Sequence, residues 1–337
     1  MALPILLLLL VSSFSSIIPF SHSALTVDYY SKTCPNFQQI LMEIVQKKQQ
    51  ESPTTAAAVL RLFYHDCAVS GCDASVLIKS TAFNKAEIED ELNLSLAGDG
   101  FDVIQRAKTA LELQCPTTVS CSDILAVATR NLIVQLGGPY YDLRFGRKDG
   151  VVSLASGVTG KLPRANSTVD RIIDAFQALG FTVPETVVLI GGGHTIGFAH
   201  CKEFADRIFG STPDPTMNPK LIGRLQTLCA DYKNNTGMAA FLDPMSPGTF
   251  DNTFFRNLRN GLGVLASDQR LMGDGRTRPF VEKYAKDAAA FANDFGRAME
   301  KLSVYRVKTG EEGEATTPRR RESMAPGFPF LPRCRRR

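Results

Sequence analysis

Histidine is scarce in this chain, with four residues in 337, and two of them stand in contexts that could do chemistry. In Arg61-Leu-Phe-Tyr-His65-Asp66-Cys67 the arginine and histidine are four residues apart, so on a helix they share one face about one turn apart. A neutral imidazole can take and return a proton, and a guanidinium stabilises developing negative charge. Heterolysis of a peroxide bond needs both. The same spacing also fits an exposed arginine beside a packed histidine with no shared role. His194 lies in Gly191-Gly-Gly-His194-Thr195-Ile-Gly197, after the apolar stretch Val187–Ile190. Glycines there let a large flat ligand approach the backbone, although a helix C-terminus with His194 at its carbonyl end is the alternative. No GxxxxGK[ST] run is present, which argues against a phosphate loop. His22 falls in an N-terminal leader, and His200, beside Cys201, reads as structural.

Two segments are rich in oxygen donors suited to a hard cation. Asp66, Asp73 and Ser75 bracket Val69 and Gly71, whose carbonyls would complete a shell. Asp243, Ser246, Thr249 and Asp251 lie close together among two prolines and a glycine. Calcium favours about six to eight such oxygens. The spacing is not that of an EF-hand, and hydrogen-bonded turns explain the same residues equally well.

The elements that must position these groups read mainly as helix. Ser52 and Pro53 make a cap and a first-turn proline before the uninterrupted run Thr54–Cys67. Further helices are predicted at Phe37–Gln50, Gly100–Gln114, Ser120–Leu136, Ser167–Leu179, Pro184–Leu189, Ala199–Phe209, Pro219–Cys229, Asn252–Asn260 and Arg278–Leu302. Strand signals are confined to Tyr140–Phe145 and Leu302–Lys308. Long loops fall around 68–92, 146–166 and 236–251, and no internal repeat is evident.

At 44% hydrophobic and 21% charged, the chain is of ordinary globular composition, long enough for one large domain or two closely packed lobes. Leu6–Val11 begins an apolar run that ends in Ser21-His22-Ser23-Ala24, so residues 1–23 read as a signal peptide and 24–308 as the folded domain. A retained membrane anchor is the competing reading of that run. Eight cysteines in a secreted chain suggest up to four disulfides, and the absence of any CxxC pair argues against zinc. Sequons at Asn93, Asn166 and Asn234 are compatible with secretion. From Thr309 the composition turns to Gly, Glu, Thr, Pro and Arg, so 309–337 reads as a loosely ordered tail. Its last twenty residues hold seven arginines against Glu322, a local +6, and the formal charge of +4 therefore leaves −2 for the rest. The basic balance belongs to the tail, and nucleic-acid binding by the folded body has no support.

Taken together, these segments resemble the class III secretory peroxidases of plants. The motifs are Arg61-Leu-Phe-Tyr-His-Asp-Cys-Ala-Val-Ser-Gly-Cys-Asp-Ala-Ser75, Asn93-Leu-Ser-Leu96, Val119-Ser-Cys-Ser-Asp-Ile-Leu125, Gly146-Arg-Lys-Asp149, Gly193-His-Thr-Ile-Gly197, Phe250-Asp-Asn252 and Ser267-Asp-Gln269. They occur in the family's order across roughly residues 25–308. The resemblance implies an all-α fold of two helical lobes enclosing a haem, with minor short strands. It implies a peroxidase that reduces hydrogen peroxide and oxidises small phenolic donors in successive one-electron steps. Cell-wall phenolic coupling, oxidative stress response and peroxide removal are all within that family's range. His65 would be the distal acid–base group and Arg61 the stabiliser of the departing oxygen. Asn93 would accept a hydrogen bond from His65, with Glu87 supporting it. His194 would ligate the iron of a non-covalent haem b, Asp268 would hydrogen-bond its second nitrogen, and Pro163 would line the donor site. Two calcium ions would bind, one at Asp66, Val69, Gly71, Asp73 and Ser75, the other at Thr195, Asp243, Ser246, Thr249 and Asp251. Disulfides would join Cys34 to Cys115, Cys67 to Cys72, Cys201 to Cys229 and Cys121 to Cys334.

Three departures stand out. Tyr64 occupies a position usually held by Phe. Pro163 is followed by Arg164-Ala165 rather than by a second proline two residues on. Cys334 comes 24 residues after Gly310, through sequence with little resemblance, so the fourth bridge is predicted to close less reliably than the others. Secretion to the apoplast, cell wall or vacuole is expected, as a monomer without stable membrane association. The arginine-rich tail would suit electrostatic binding to acidic wall polysaccharide. Two rival readings are a peroxidase fold that no longer turns over and a calcium-binding wall module without haem. Retention of every matched catalytic residue argues against the first.

Overall fold

The computed structural model describes residues 25–313 and Cys334; the predicted leader and the rest of the tail lie outside the described residues. Twelve α-helices are described: α1 Phe37–Glu51, α2 Thr55–Val69, α3 Gly98–Gln114, α4 Cys121–Gln135, α5 Val169–Ala178, α6 Val183–His194, α7 Ala205–Phe209, α8 Pro219–Leu228, α9 Thr253–Arg259, α10 Ala266–Gly273, α11 Arg278–Lys286 and α12 Ala288–Ser303. Strands β1 (Phe198–His200) and β2 (Ala239–Phe241) form an antiparallel ribbon with Ala199 opposite Ala240. The expected all-α class holds.

Helices α1–α4 pack on one another, and α6 packs on α9, α11 and α12, giving two helical groups that meet where α2 approaches α6. One large apolar core runs through both, and a smaller cluster forms around Cys201 and Cys229. A buried polar tie helps join the groups. Arg147 pairs with Asp123 at 2.6 Å and donates to the Ser303 carbonyl from two nitrogens at 3.0 and 2.6 Å, while Tyr30 Oη donates to Asp123 at 2.7 Å. The bridges are Cys34–Cys115, Cys67–Cys72, Cys201–Cys229 and Cys121–Cys334, so the last cysteine reaches α4 despite the unusual tail.

Several local expectations differ from the structure. Helix α2 starts at Thr55 rather than at Pro53, because the Ser52 and Thr54 hydroxyls both donate to Asp99, at 2.7 and 2.6 Å. The stretch expected as a helix from Ala199 is instead β1, a 3₁₀ turn and the short α7. There the Cys201 N–H donates to the Met238 carbonyl at 2.8 Å and the 201–229 bridge holds the ribbon. The long helix predicted from Arg278 to Leu302 breaks at Asp287, whose extended backbone ends α11 and whose carboxylate caps α12 by accepting from the Ala290 N–H at 2.8 Å. Among the described residues the two expected strands are only single bridges, Thr26 to Phe145 and Lys148 to Lys308. Helix α10, which carries Asp268, is too short and weakly patterned to have been predicted. Among the described residues no single helix is long and apolar enough to cross a membrane.

Candidate active site

Helix α2 carries Arg61 and His65 one turn apart, as their spacing requires. His65 is buried, and its Nδ1 lies 2.6 Å from Asn93 Oδ1. The Asn93 amide nitrogen donates to the Glu87 carbonyl at 2.8 Å, which fixes its oxygen toward the ring. Because that oxygen only accepts, Nδ1 carries the proton and Nε2 keeps its lone pair. Burial and then the Arg61 charge push the imidazole down to about 3, so the ring is a neutral base near neutral pH. Glu87 thus supports Asn93 through its backbone. Its carboxylate turns instead toward Ser75 Oγ at 3.4 Å, and burial pushes it up to about 7. Because Asn93 is buried in this contact, its sequon is closed to a sugar in the folded protein, whereas Asn166 and Asn234 are exposed.

Arg61 is held by Leu92 and Ser95, a role that the motif around Asn93 did not assign to them. It donates to the Ser95 carbonyl at 2.8 Å, the Leu92 carbonyl at 3.1 Å and Ser95 Oγ at 3.0 Å. The side chain is open to solvent yet ringed by protein, as one lining a cleft would be, and desolvation lowers its proton affinity while Glu203 partly restores it. Tyr64 stacks on Phe176 at 5.5 Å with its hydroxyl buried and unpartnered. Burial keeps that phenol protonated, and the stacked ring fits a packing role.

His194 ends α6. Its Nδ1 lies 2.9 Å from Asp268 Oδ1 on α10. Burial alone would lower the imidazole, but the Asp268 charge and hydrogen bond outweigh it and hold the group above its ordinary value. The glycines before His194 do two different jobs. A methyl at Gly191 or Gly192 would overlap the rings of Phe255 or Phe295, so these two serve helix packing. Of the three, only Gly193 has nothing within contact distance of an added methyl, which leaves room beside His194.

These features fit haem. His194 has Nε2 free and its side chain one-third exposed (33%), while Asp268 Oδ2 is buried with no other partner. Gly193 leaves room beside His194, which would hold the iron, and α2 carries Arg61 and the buried His65 on the helix that approaches α6.

Both oxygen-rich loops assemble. Asp66 accepts from the Ala74 and Val76 N–H groups at 2.9 and 3.3 Å, and Asp73 Oδ1 from the Ser75 N–H at 3.0 Å. Asp66 is held well above the usual carboxylate range by burial and then by Asp73. Val69 and Gly71 are buried in the same turn, where the Gly71 carbonyl accepts from the Asp73 N–H at 2.8 Å. In the second loop Ser246 Oγ donates to Asp243 at 3.3 Å and to Asp251 at 3.1 Å, and Thr195 Oγ1 donates to the Asp251 carbonyl at 2.8 Å. Thr249 joins through its backbone N–H, which donates to the Ser246 carbonyl at 3.2 Å. Among the described residues no three His, Cys, Asp or Glu side chains converge as a metal group. A cation here would therefore take carbonyl and hydroxyl oxygens as well, as calcium does.

Pro163 is half-buried beside Arg164, whose guanidinium forks onto Glu91 at 3.1 and 3.0 Å, and the Ser267 N–H holds the Ala165 carbonyl at 2.9 Å. The loop carrying Pro163 thereby touches both the segment that holds Arg61 and the helix that carries Asp268.

Two histidines on neighbouring helices, each hydrogen-bonded through Nδ1 to a second residue, fit the site of a haem peroxidase. The chain belongs to the peroxidase family, whose sequence model matches residues 41–287. It is 57% identical to Peroxidase 41 of Arabidopsis thaliana over 86% of this chain and 88% of that one. Identity to Peroxidase 65 of the same plant is 52%, over 92% and 93% of the two chains. For Peroxidase 63 it is 53%, over 93% and 94%. The protein is a plant haem peroxidase that uses hydrogen peroxide and a reducing donor.

Proposed function

We propose that this peroxidase is secreted and oxidises small phenolic donors one electron at a time, with two calcium ions stabilising the loops beside its two histidines. The observation that carries the reading is the pair of oriented rings, His65 on Asn93 at 2.6 Å and His194 on Asp268 at 2.9 Å. His65 Nε2 takes a proton from the peroxide oxygen that approaches and returns it to the oxygen that leaves, while Arg61 lowers the cost of charge on the leaving oxygen. His194 would hold the iron, and Asp268 would make its ring a stronger donor. Bound haem supplies the two oxidising equivalents taken from each peroxide. Two phenols each lose one electron and one proton, so one peroxide yields two phenoxyl radicals and two waters. Pro163 and the surrounding loop would receive the donor; the radicals would couple in the wall, and turnover itself removes peroxide.

The first test is purified protein with a Soret band and peroxide-dependent guaiacol oxidation. His65→Ala is expected to keep the Soret band while slowing peroxide reduction about 10²–10⁴-fold. A normal rate in that variant would remove the acid–base role.

A further inference from the structure

The proposed cation loop beside His65 already holds a positive charge, supplied from the far end of the chain. Asp66, Asp73 and Glu87 are all essentially buried. Three buried carboxylates require positive charge or protons. Lys308 supplies one ammonium. Its Nζ pairs with Asp73 Oδ2, across a separation of 235 residues, and its charge also acts on Glu87. The lysine is held there by backbone. The Cys72 N–H donates to the Tyr305 carbonyl at 3.0 Å, and the Lys148 N–H to the Lys308 carbonyl at 2.8 Å. Gly150 fits closely against the Asp73 carboxylate, and its N–H donates to the Asp73 carbonyl at 2.7 Å. Asp73 has no solvent-exposed side-chain surface, whereas the Lys308 side chain is 31% exposed, so the lysine has a path outward and the aspartate does not.

We propose that Lys308 is a tethered counter-cation of this loop: its ammonium holds Asp73 when no metal is bound and must leave before calcium takes that carboxylate. Two cations on one buried carboxylate repel strongly. The lysine therefore weakens calcium binding at this loop and keeps the loop formed when calcium is lost. The C-terminal segment thereby tunes the metal site that adjoins Glu87, Asn93 and His65. This inference rests on the reading that the Asp66–Ser75 loop takes calcium.

The test compares wild type, Lys308→Met and Lys308→Arg as full-length, haem-loaded protein. Calcium is removed by a chelator and titrated back, with binding followed by calorimetry and stability by melting temperature. The Asp243–Asp251 loop serves as the internal reference. Lys308→Met is expected to bind calcium at least tenfold more tightly at one site, with the other site unchanged. Its calcium-free form should melt below calcium-free wild type, with the gap closing once calcium is added. Lys308→Arg should stay near wild type. Unchanged or weaker calcium binding in Lys308→Met would overturn this role while leaving the calcium reading intact. Wild type that binds no calcium at a second site would overturn the calcium reading and this role together. Neither outcome touches the peroxidase reading, which the Soret band and phenol oxidation report separately.

Discussion

His65 and His194 are pushed in opposite directions by their neighbours, and that difference fits the two roles proposed for them. Burial and Arg61 keep His65 neutral, with one nitrogen free to accept a proton. Asp268 pulls the other way on His194, drawing its Nδ1 proton and enriching the ring that would face iron. Asp268→Asn keeps the shape and removes the charge. Haem affinity and the rate of peroxide reaction are expected to fall about 10- to 100-fold, read by haem loss to apomyoglobin and by stopped-flow. Unchanged haem retention together with an unchanged rate would remove Asp268 from the site.

At the scale of elements, α6 must pack tightly on one side and leave room on the other. Gly191→Ala should destabilise the protein by about 1–3 kcal/mol, because the added methyl overlaps Phe255. Gly193→Ala meets nothing and replaces a helical glycine, so the haem-free protein should be as stable or more stable, while haem binding weakens. Thermal melts of apo and loaded protein separate the two. The join between α1, α2 and α3 depends on Asp99, which accepts from Thr54 and Ser52 and pairs with Lys48 at 2.9 Å. Those bonds, Thr54 foremost, hold Asp99 down to about 2. The unfolded state therefore binds the proton more readily, so this contribution is complete above about pH 4 and disappears as pH falls toward 2. Asp99→Asn is expected to cost about 1–2 kcal/mol at neutral pH, with the melting curves of variant and wild type converging in acid. A difference that stays constant down to pH 2 would contradict this account.

For the whole molecule, the C-terminal segment closes the fold at two places. Lys308 reaches Asp73, and Cys334 reaches Cys121 on α4. Loss of a native bridge in a secreted domain typically costs about 2–5 kcal/mol, so Cys334→Ser should lower the melting temperature by that equivalent. Non-reducing peptide mapping of wild type should give a linked 121–334 peptide; its absence from folded, active protein would show that the tail is dispensable for closure. The seven arginines of the last twenty residues carry the net positive charge of the chain, so any binding to acidic polysaccharide should fall with salt and with truncation of the tail.

Much of the chemistry was legible because helical periodicity is local. The four-residue spacing of Arg61 and His65 sets them on one face of α2 whatever surrounds it. The ordered motifs around Asn93, His194 and Asp268 carried the family, and with it the haem. Partner choice is not local, and there the tertiary structure decided. It brought Asp268 to His194 across 74 residues and turned Glu87 so that its carbonyl, rather than its carboxylate, serves Asn93. It gave two of the three glycines before His194 to aromatic packing, and it put Lys308 on Asp73. Residue types and spacings state which groups can ionise, ligate or turn. Only the packed chain determines which of them share a desolvated space, and burial and neighbouring charge then set what each one does.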